Sequence, residues 1–201
     1  AGDLNSFSQN GTAGDVTLDA ATGIDIANIR SEGAKVGGDI TVTTGGTFTS
    51  DTINSYATDA TTGEAGNVTL SATGNITLGG DATNSAIRSE GSQVGGDISI
   101  ISDTGTITAA GNLNSFSQNG TAGDVTLDAA TGIDIANIRS EGAQQGGSIE
   151  ITSDANLDLS QTTLNSYSEN GTAGDVSLSA QGNVTLGGDA TNSAIRSQGL
   201  Q

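Results

Sequence analysis

A 201-residue chain with net charge −18, no Cys, His, Pro, Met or Trp and 2% aromatic residues has neither a disulfide framework nor a thiolate site. The acidic balance disfavours nucleic acid and anionic membrane surfaces, because those partners are bound through Lys and Arg. No run approaches the roughly 18 apolar residues of a membrane span, and no signal peptide is visible. The 33% apolar fraction is lean, but its Val, Ile, Leu and Ala are regularly placed, which argues against disorder.

The chain repeats itself. Leu4 to Ala34 recurs letter for letter as Leu113 to Ala143, 109 residues on. Inside that block a shorter motif, Gly-(Asp/Asn/Ser)-(Val/Ile)-(Thr/Ser/Glu)-(Leu/Val/Ile), begins at Gly14, Gly38, Gly66, Gly96, Gly123, Gly147 and Gly174. The steps between these glycines are 24, 28, 30, 27, 24 and 27 residues, bounded but uneven, as in a solenoid whose coils share strands and differ in loops. The local period is two, that of a strand with one buried face, and no stretch carries the i, i+3, i+4 pattern of a helix. The expected fold is all-β: a right-handed parallel β-helix of about eight coils, each of three short strands. Residues 1–201 form a single solenoid region, expected to be an excerpt of a longer chain because Ala1-Gly2 matches the internal Ala110-Gly111.

In the first complete coil, strand one is Asp15-Val16-Thr17-Leu18, strand two Ile24-Asp25-Ile26 and strand three Ile29-Arg30-Ser31. Asn, Asp, Thr and Gly clusters separate them, as turns require. Stacking predicts three inward columns: Val16, Ile40, Val68, Ile98, Val125, Ile149, Val176; Leu18, Val42, Leu70, Ile100, Leu127, Ile151, Leu178; and Leu4, Ile29, Ile53, Ile87, Leu113, Ile138, Leu164, Ile195. No charge interrupts them. Each aliphatic side chain contributes roughly 1.5–3 kcal/mol when fully buried.

Beside the third column runs Asn5, Arg30, Asn54, Arg88, Asn114, Arg139, Asn165, Arg196, and two residues further Phe7, Glu32, Tyr56, Glu90, Phe116, Glu141, Tyr167, Gln198. Coils therefore come in pairs. Arg never stacks on Arg, which avoids like charges opposite one another, and each ring can cover an Arg stem; Phe48 is the one aromatic residue outside this pattern. Between the two outward columns lies an inward Ser column, Ser6, Ser31, Ser55, Ser89, Ser115, Ser140, Ser166 and Ser197, expected to satisfy itself hydroxyl to hydroxyl. The coil pairs differ again in a longer segment at Leu78–Ser89 and Leu186–Ser197.

Catalysis needs a singular cluster with shifted pKa values; here the only Lys is Lys35 and the polar groups recur in every block. No residue is assigned a catalytic, cofactor-binding or metal-ligating role, no cofactor is expected, and the chain reads as not an enzyme. Asp15, Asp39, Asn67, Asp97, Asp124, Ser148 and Asp175 form an acidic column. One straight column offers fewer than the six to eight oxygens Ca²⁺ takes, so solvated turn carboxylates are expected. Ice binding needs a flat face of paired threonines, whereas the outward pair on strand one is mostly Asp and Thr. The Asn-Gly-Thr triplets at Asn10, Asn119 and Asn170 match a glycosylation sequon and equally a turn.

The phrases AGDVTLDAATGIDIANI, GGDISIISDTGTITAAG and GNVTLSATGNITLGG resemble the repeats of filamentous haemagglutinin-type (two-partner secretion) exoproteins, notably cyanobacterial ones, over essentially the whole chain. The resemblance implies a β-helical shaft of a large secreted or cell-surface fibre of a Gram-negative bacterium, acting in adhesion or extracellular matrix. It implies partners by end-to-end or lateral self-association and among surface or matrix glycans, with no nucleic acid and no membrane insertion. The rival readings are a β-helix that binds a ligand (ice, glycan or Ca²⁺) on a repeated face and a β-helical polysaccharide-active enzyme.

Overall fold

The computed structural model describes residues 1–80, 85–187 and 194–200. Its strands are all parallel and climb one rung per coil, forming a parallel β-helix. The first wall is a seven-stranded sheet of Val16–Ala20, Ile40–Thr44, Val68–Ala72, Ile98–Ser102, Val125–Ala129, Ile149–Ser153 and Val176–Ala180. The third wall has eight rungs: Leu4–Ser8, the second halves of Gly23–Gly33 and Thr47–Ala57, then Ile87–Gly91, Leu113–Ser117, Asn137–Gly142, Thr163–Ser168 and Ile195–Gly199. The eight expected coils are thus about seven turns, with an eighth rung on one wall only.

Every predicted column is in register. Val16 pairs with Ile40, Ile40 with Val68, and so on to Val176. Leu4, Ile29, Ile53, Ile87, Leu113, Ile138, Leu164 and Ile195 stack on the third wall. Interior members such as Ile40, Val68, Ile98, Val125 and Ile149 are wholly buried. Phe48, the aromatic exception, is buried in the second wall between Ile24 and Ile76. In the last described rung the column ends half-covered, with Val184 and Leu186 44% and 45% exposed.

Two expectations are corrected. Strands two and three are continuous in Gly23–Gly33 and Thr47–Ala57, which join the second and third walls into one eleven-stranded sheet. The identical sequence one block later forms two strands, Gly132–Ile135 and Asn137–Gly142. There the flanking coils have longer corners: four residues from Ala109 to Leu113 and five from Leu159 to Leu164, against three from Ile135 to Ile138. The longer of these turns within itself, Thr162 N–H donating to Leu159 O at 3.1 Å. Ala136 N–H still donates to Ala109 O at 3.1 Å, but on the other side Ile135 O accepts from the Thr162 hydroxyl at 2.7 Å instead of from a strand amide, and the ladder is interrupted there. The long segments at Leu78–Ser89 and Leu186–Ser197 lie partly outside the described residues.

The second correction concerns the Ser column, which does not bond to itself. Ser89 Oγ donates to Gly66 O at 2.7 Å and accepts from Gly96 N–H at 2.9 Å. Ser31, Ser55, Ser140 and Ser166 repeat this bridge between two stacked coil-start glycines. Each hydroxyl thus ties the third wall to the start of the first across a corner. It leaves no space beside the glycine: a Cβ on Gly96 would lie 2.2 Å from Gly66 O and 2.6 Å from Ser89 Oγ. Stacked hydroxyls about 4.8 Å apart are beyond hydrogen-bond reach of each other, so they turn to the backbone.

The coil pairing also reaches the backbone. Before the coil-start glycine stand Ala13, Gly37, Ala65, Gly95, Ala122, Gly146 and Ala173 in strict alternation. A Cβ at Gly37, Gly95 or Gly146 would lie 2.9 Å from the backbone nitrogen of Tyr56, Phe116 or Tyr167. Gly is required on the coils that carry a ring, and Ala occurs on those that carry Glu or Gln.

Ser89→Ala is expected to cost about 2–3 kcal/mol by stranding one buried donor and one buried acceptor, and Gly96→Ala at least as much. Urea denaturation midpoints of the two variants against the parent chain check both.

Candidate functional site

The outward face of the third wall gathers four of the five cationic side chains and four of the five aromatic rings. Outward side chains alternate along a strand, so Arg30 and Glu32, Arg88 and Glu90, and Arg139 and Glu141 project together from their rungs. Each forms an ion pair: Arg30 Nη2 is 3.0 Å from Glu32 Oε2, Arg88 bonds Glu90 through Nη2, and Arg139 Nε donates to Glu141 Oε1 at 3.1 Å. The guanidiniums stay 43–47% exposed, whereas the carboxylates are 12–21% exposed. Glu hydrogen bonding holds the Arg88 and Arg139 guanidiniums above the usual arginine pKa.

Tyr56 lies between two of these pairs. Arg30 Cζ is 5.6 Å from its ring centroid on one side and Arg88 Cζ 5.3 Å on the other, and Arg30 Nη2 donates to Tyr56 Oη at 2.6 Å. Burial first, then the neighbouring Glu32 carboxylate, pushes the Tyr56 phenol above its ordinary pKa. In the second block Arg196 Cζ stands 4.2 Å from the Tyr167 ring centroid. At the two tyrosines the ring meets the guanidinium in a cation–π arrangement, facing a charge it attracts.

The asparagines of the same face are less well served. Asn114, 8% exposed, donates Nδ2–H to Ser85 Oγ at 2.7 Å, and Asn165 donates to Glu141. Their carbonyl oxygens, Asn114 Oδ1 and Asn165 Oδ1, are buried without a hydrogen-bond partner. Asn114 is in register with Arg88 on one rung and Arg139 on the next.

The acidic column has a structural role that side-chain pattern alone does not show. Asp15 Oδ1 accepts from Asp39 N–H at 2.9 Å, Asp39 Oδ1 from Asn67 N–H at 2.7 Å and Asn67 Oδ1 from Asp97 N–H at 2.8 Å. Asp97 and Asp124 continue the chain to Asp124 and Ser148. One oxygen of each side chain thus caps the backbone of the coil above. The signal was the residue choice itself, since Asp, Asn and Ser share a short side-chain acceptor. Among the described residues no group of three or more Asp, Glu, Cys or His is placed to hold a metal ion.

The threonine face is real but broken. The column Thr17, Thr41, Thr69, Ser99, Thr126, Glu150, Ser177 is flanked by Asp19, Thr43, Ser71, Ile101, Asp128, Thr152, Ser179. Asn10, Asn119 and Asn170 are exposed at turns; Asn119 N–H donates to Ser92 O and Asn170 N–H to Ala143 O, both at 2.7 Å. Thr12, Val36, Glu64, Val94, Thr121, Gln145 and Thr172 form a further column of single bridges at the corner before the first wall. With no alternation to mark it, a one-residue rung escapes a period-two reading.

Comparison of the chain with protein-family models, with curated proteins and with solved structures finds no match.

Arg88→Leu is expected to cost about 1 kcal/mol, the sum of a partly exposed ion pair and one cation–π contact, and to lower solubility more than stability. Denaturation midpoints and ammonium sulfate solubility of the variant read the two effects separately. Asp59 accepts from Thr61 N–H, Thr61 Oγ1–H and Thr62 N–H at 2.8–2.9 Å, which lowers its carboxyl to about 2. The stabilisation these bonds give is present above the unfolded value near 3.9 and is lost as pH falls through about 2. A carboxyl ¹³C titration should place the Asp59 midpoint near 2, and a midpoint near 4 would show that the turn is not formed.

Proposed function

We propose that this chain is the shaft of a secreted or cell-surface fibre, acting in adhesion or extracellular matrix, on the outer surface of a Gram-negative bacterium of cyanobacterial type. The observation that carries the reading is the uninterrupted register: three aliphatic columns and one Ser–Gly corner run through both blocks at one rung per coil. A module built around one site interrupts its repeat where the site lies. Here the polar groups of each face recur instead, so whatever the surface does, it does many times along the axis. The likeness of AGDVTLDAATGIDIANI and its relatives to filamentous haemagglutinin-type repeats supports the same reading.

A shaft of this kind works by length and stiffness. Parallel stacking makes each coil depend on its neighbours for burial, so added blocks extend the rod without a new core. The β-helical enzyme reading requires a groove whose titratable cluster does not repeat, and it ranks below the shaft on that ground.

Negative-stain imaging of the native assembly tests this. Long, unbranched rods of uniform width are expected; compact particles with no elongated species would sink the shaft reading.

A further inference from the structure

Asn-Gly occurs at Asn10-Gly11, Asn119-Gly120 and Asn170-Gly171, each time in the corner between the third wall and the one-residue bridge at Thr12, Thr121 or Thr172. The dipeptide makes a turn, and it is also reactive. The Gly amide nitrogen can attack the Asn side-chain carbonyl carbon, because no Cβ shields it and the Gly backbone turns freely. A new C–N bond closes a five-membered succinimide, and the side-chain nitrogen leaves as ammonia, taking the Gly amide proton with it. Water then opens the ring at either carbonyl, giving Asp or its β-linked isomer isoaspartate. The net change consumes one water and releases one ammonia, without oxidant or cofactor.

The three corners are nearly the same in sequence, Ser-Gln-Asn-Gly-Thr twice and Ser-Glu-Asn-Gly-Thr once, but they are held differently. The Asn119 side-chain amide donates to Ala60 O at 3.3 Å, and Asn119 O accepts from Gln144 Nε2 at 2.9 Å. Gly120 is buried, and its N–H donates to Ser117 Oγ at 3.0 Å. The attacking nitrogen and the amide it would attack are therefore tied to separate partners. Among the described residues the Asn170 side chain and Gly171 N–H meet no hydrogen-bond partner, and Gly171 is partly exposed. Asn10 and Gly11 are in the same condition. Asn119 N–H and Asn170 N–H each donate at 2.7 Å to the coil below, so the difference lies in the reacting groups.

The brace on Asn119 comes from two coils below. Six residues link Ala57 to the bridge at Glu64, against three from Ser117 to Thr121. Asp59 folds that longer segment by accepting from Thr61 and Thr62. Thr61 O takes Gln93 Nε2–H at 2.7 Å, and Ala60 O reaches past that coil to Asn119. Two coils below Asn170 lies the corner of Asn119 itself, which is too short to reach up.

We infer that Asn170 is a site of spontaneous deamidation and that the Asp59 turn protects Asn119 from the same reaction. The modification lies beyond the shaft reading and requires no part of it. Each event adds one negative charge to the corner. The isoaspartate product also adds a methylene to the backbone two residues before Thr172, whose bridge to Gln145 sets that rung.

Trypsin places the three sites in separate peptides, residues 1–30, 89–139 and 140–196. The folded chain is held at mildly alkaline pH, where the Gly amide nitrogen is deprotonated more readily, then sampled over time and digested. Mass spectrometry with electron-transfer fragmentation reads Asp and isoaspartate at each site. Asn170 is expected to convert about tenfold faster than Asn119, where two hydrogen bonds must break before the reacting atoms can meet, and the two rates should converge in urea. Asp59→Ala and Ser117→Ala, which remove the brace and the Gly120 acceptor, should each speed Asn119 and leave Asn170 unchanged, with circular dichroism confirming the fold. Equal rates in the folded chain, no conversion at Asn170, or a difference that survives in urea overturns the inference. A folded Asp59→Ala chain in which Asn119 stays slow overturns the role of the turn.

Discussion

A hydroxyl shared between two stacked glycines holds this fold in register. Ser31, Ser55, Ser89, Ser140 and Ser166 each take an N–H from one coil start and give their proton to the carbonyl of the coil beside it. The bridge requires Ser at one end and bare backbone at the other, which is why Gly opens every coil. It also settles a conflict inside the core. A polar side chain on an inward position costs free energy unless bonded, and here the bond spans the corner where the sheet ladder lapses. A slip of one residue would place Arg and Glu where Ile and Ser now sit.

The pairing of coils is a second constraint laid over the first. Outside, Arg and Glu on one rung alternate with Asn and a ring on the next, so the Tyr56 and Tyr167 rings face cations and no cation stacks on another. Inside, Ala alternates with Gly before the coil start because backbone at Tyr56, Phe116 and Tyr167 approaches too closely for a methyl group. Alternation at the surface and in the backbone therefore serve one unit of two coils. The consequence for function is a surface whose chemistry repeats along a stiff axis at twice the rung spacing.

Much of this was legible from residue order. Three aliphatic columns without a charge are a strong signal, because period two assigns each residue to one face. The Arg and aromatic columns, Phe48 apart, were equally plain. The candidate site was legible only as a column of types: that Arg88 would pair with Glu90 follows from spacing, but the unpaired Asn114 Oδ1 does not. Contacts to backbone were the main omission. Ser89 reaches Gly66 and Gly96, and Asp39 reaches the amide of Asn67, through atoms every residue carries, so side-chain pattern cannot mark the partner.

The identical stretches Leu4–Ala34 and Leu113–Ala143 divide what each level decides. Order of residues alone determined which side chains face the core, where the corners fall and which coils pair, because those depend on alternation and on residues that only a turn or a tight approach accepts. Whether the stretch makes one strand or two was decided by its neighbours. Beside Gly23–Gly33 lies Thr47–Ala57, with a corner of equal length, and both strands run through the corner with only Ala27 and Asp51 left out of the pairing. Beside Asn137–Gly142 lie coils with longer corners, and the strand is interrupted at Ala136, which keeps only its bond to Ala109 O. A strand exists only where another chain segment takes up its backbone hydrogen bonds, and that segment lies a whole coil away.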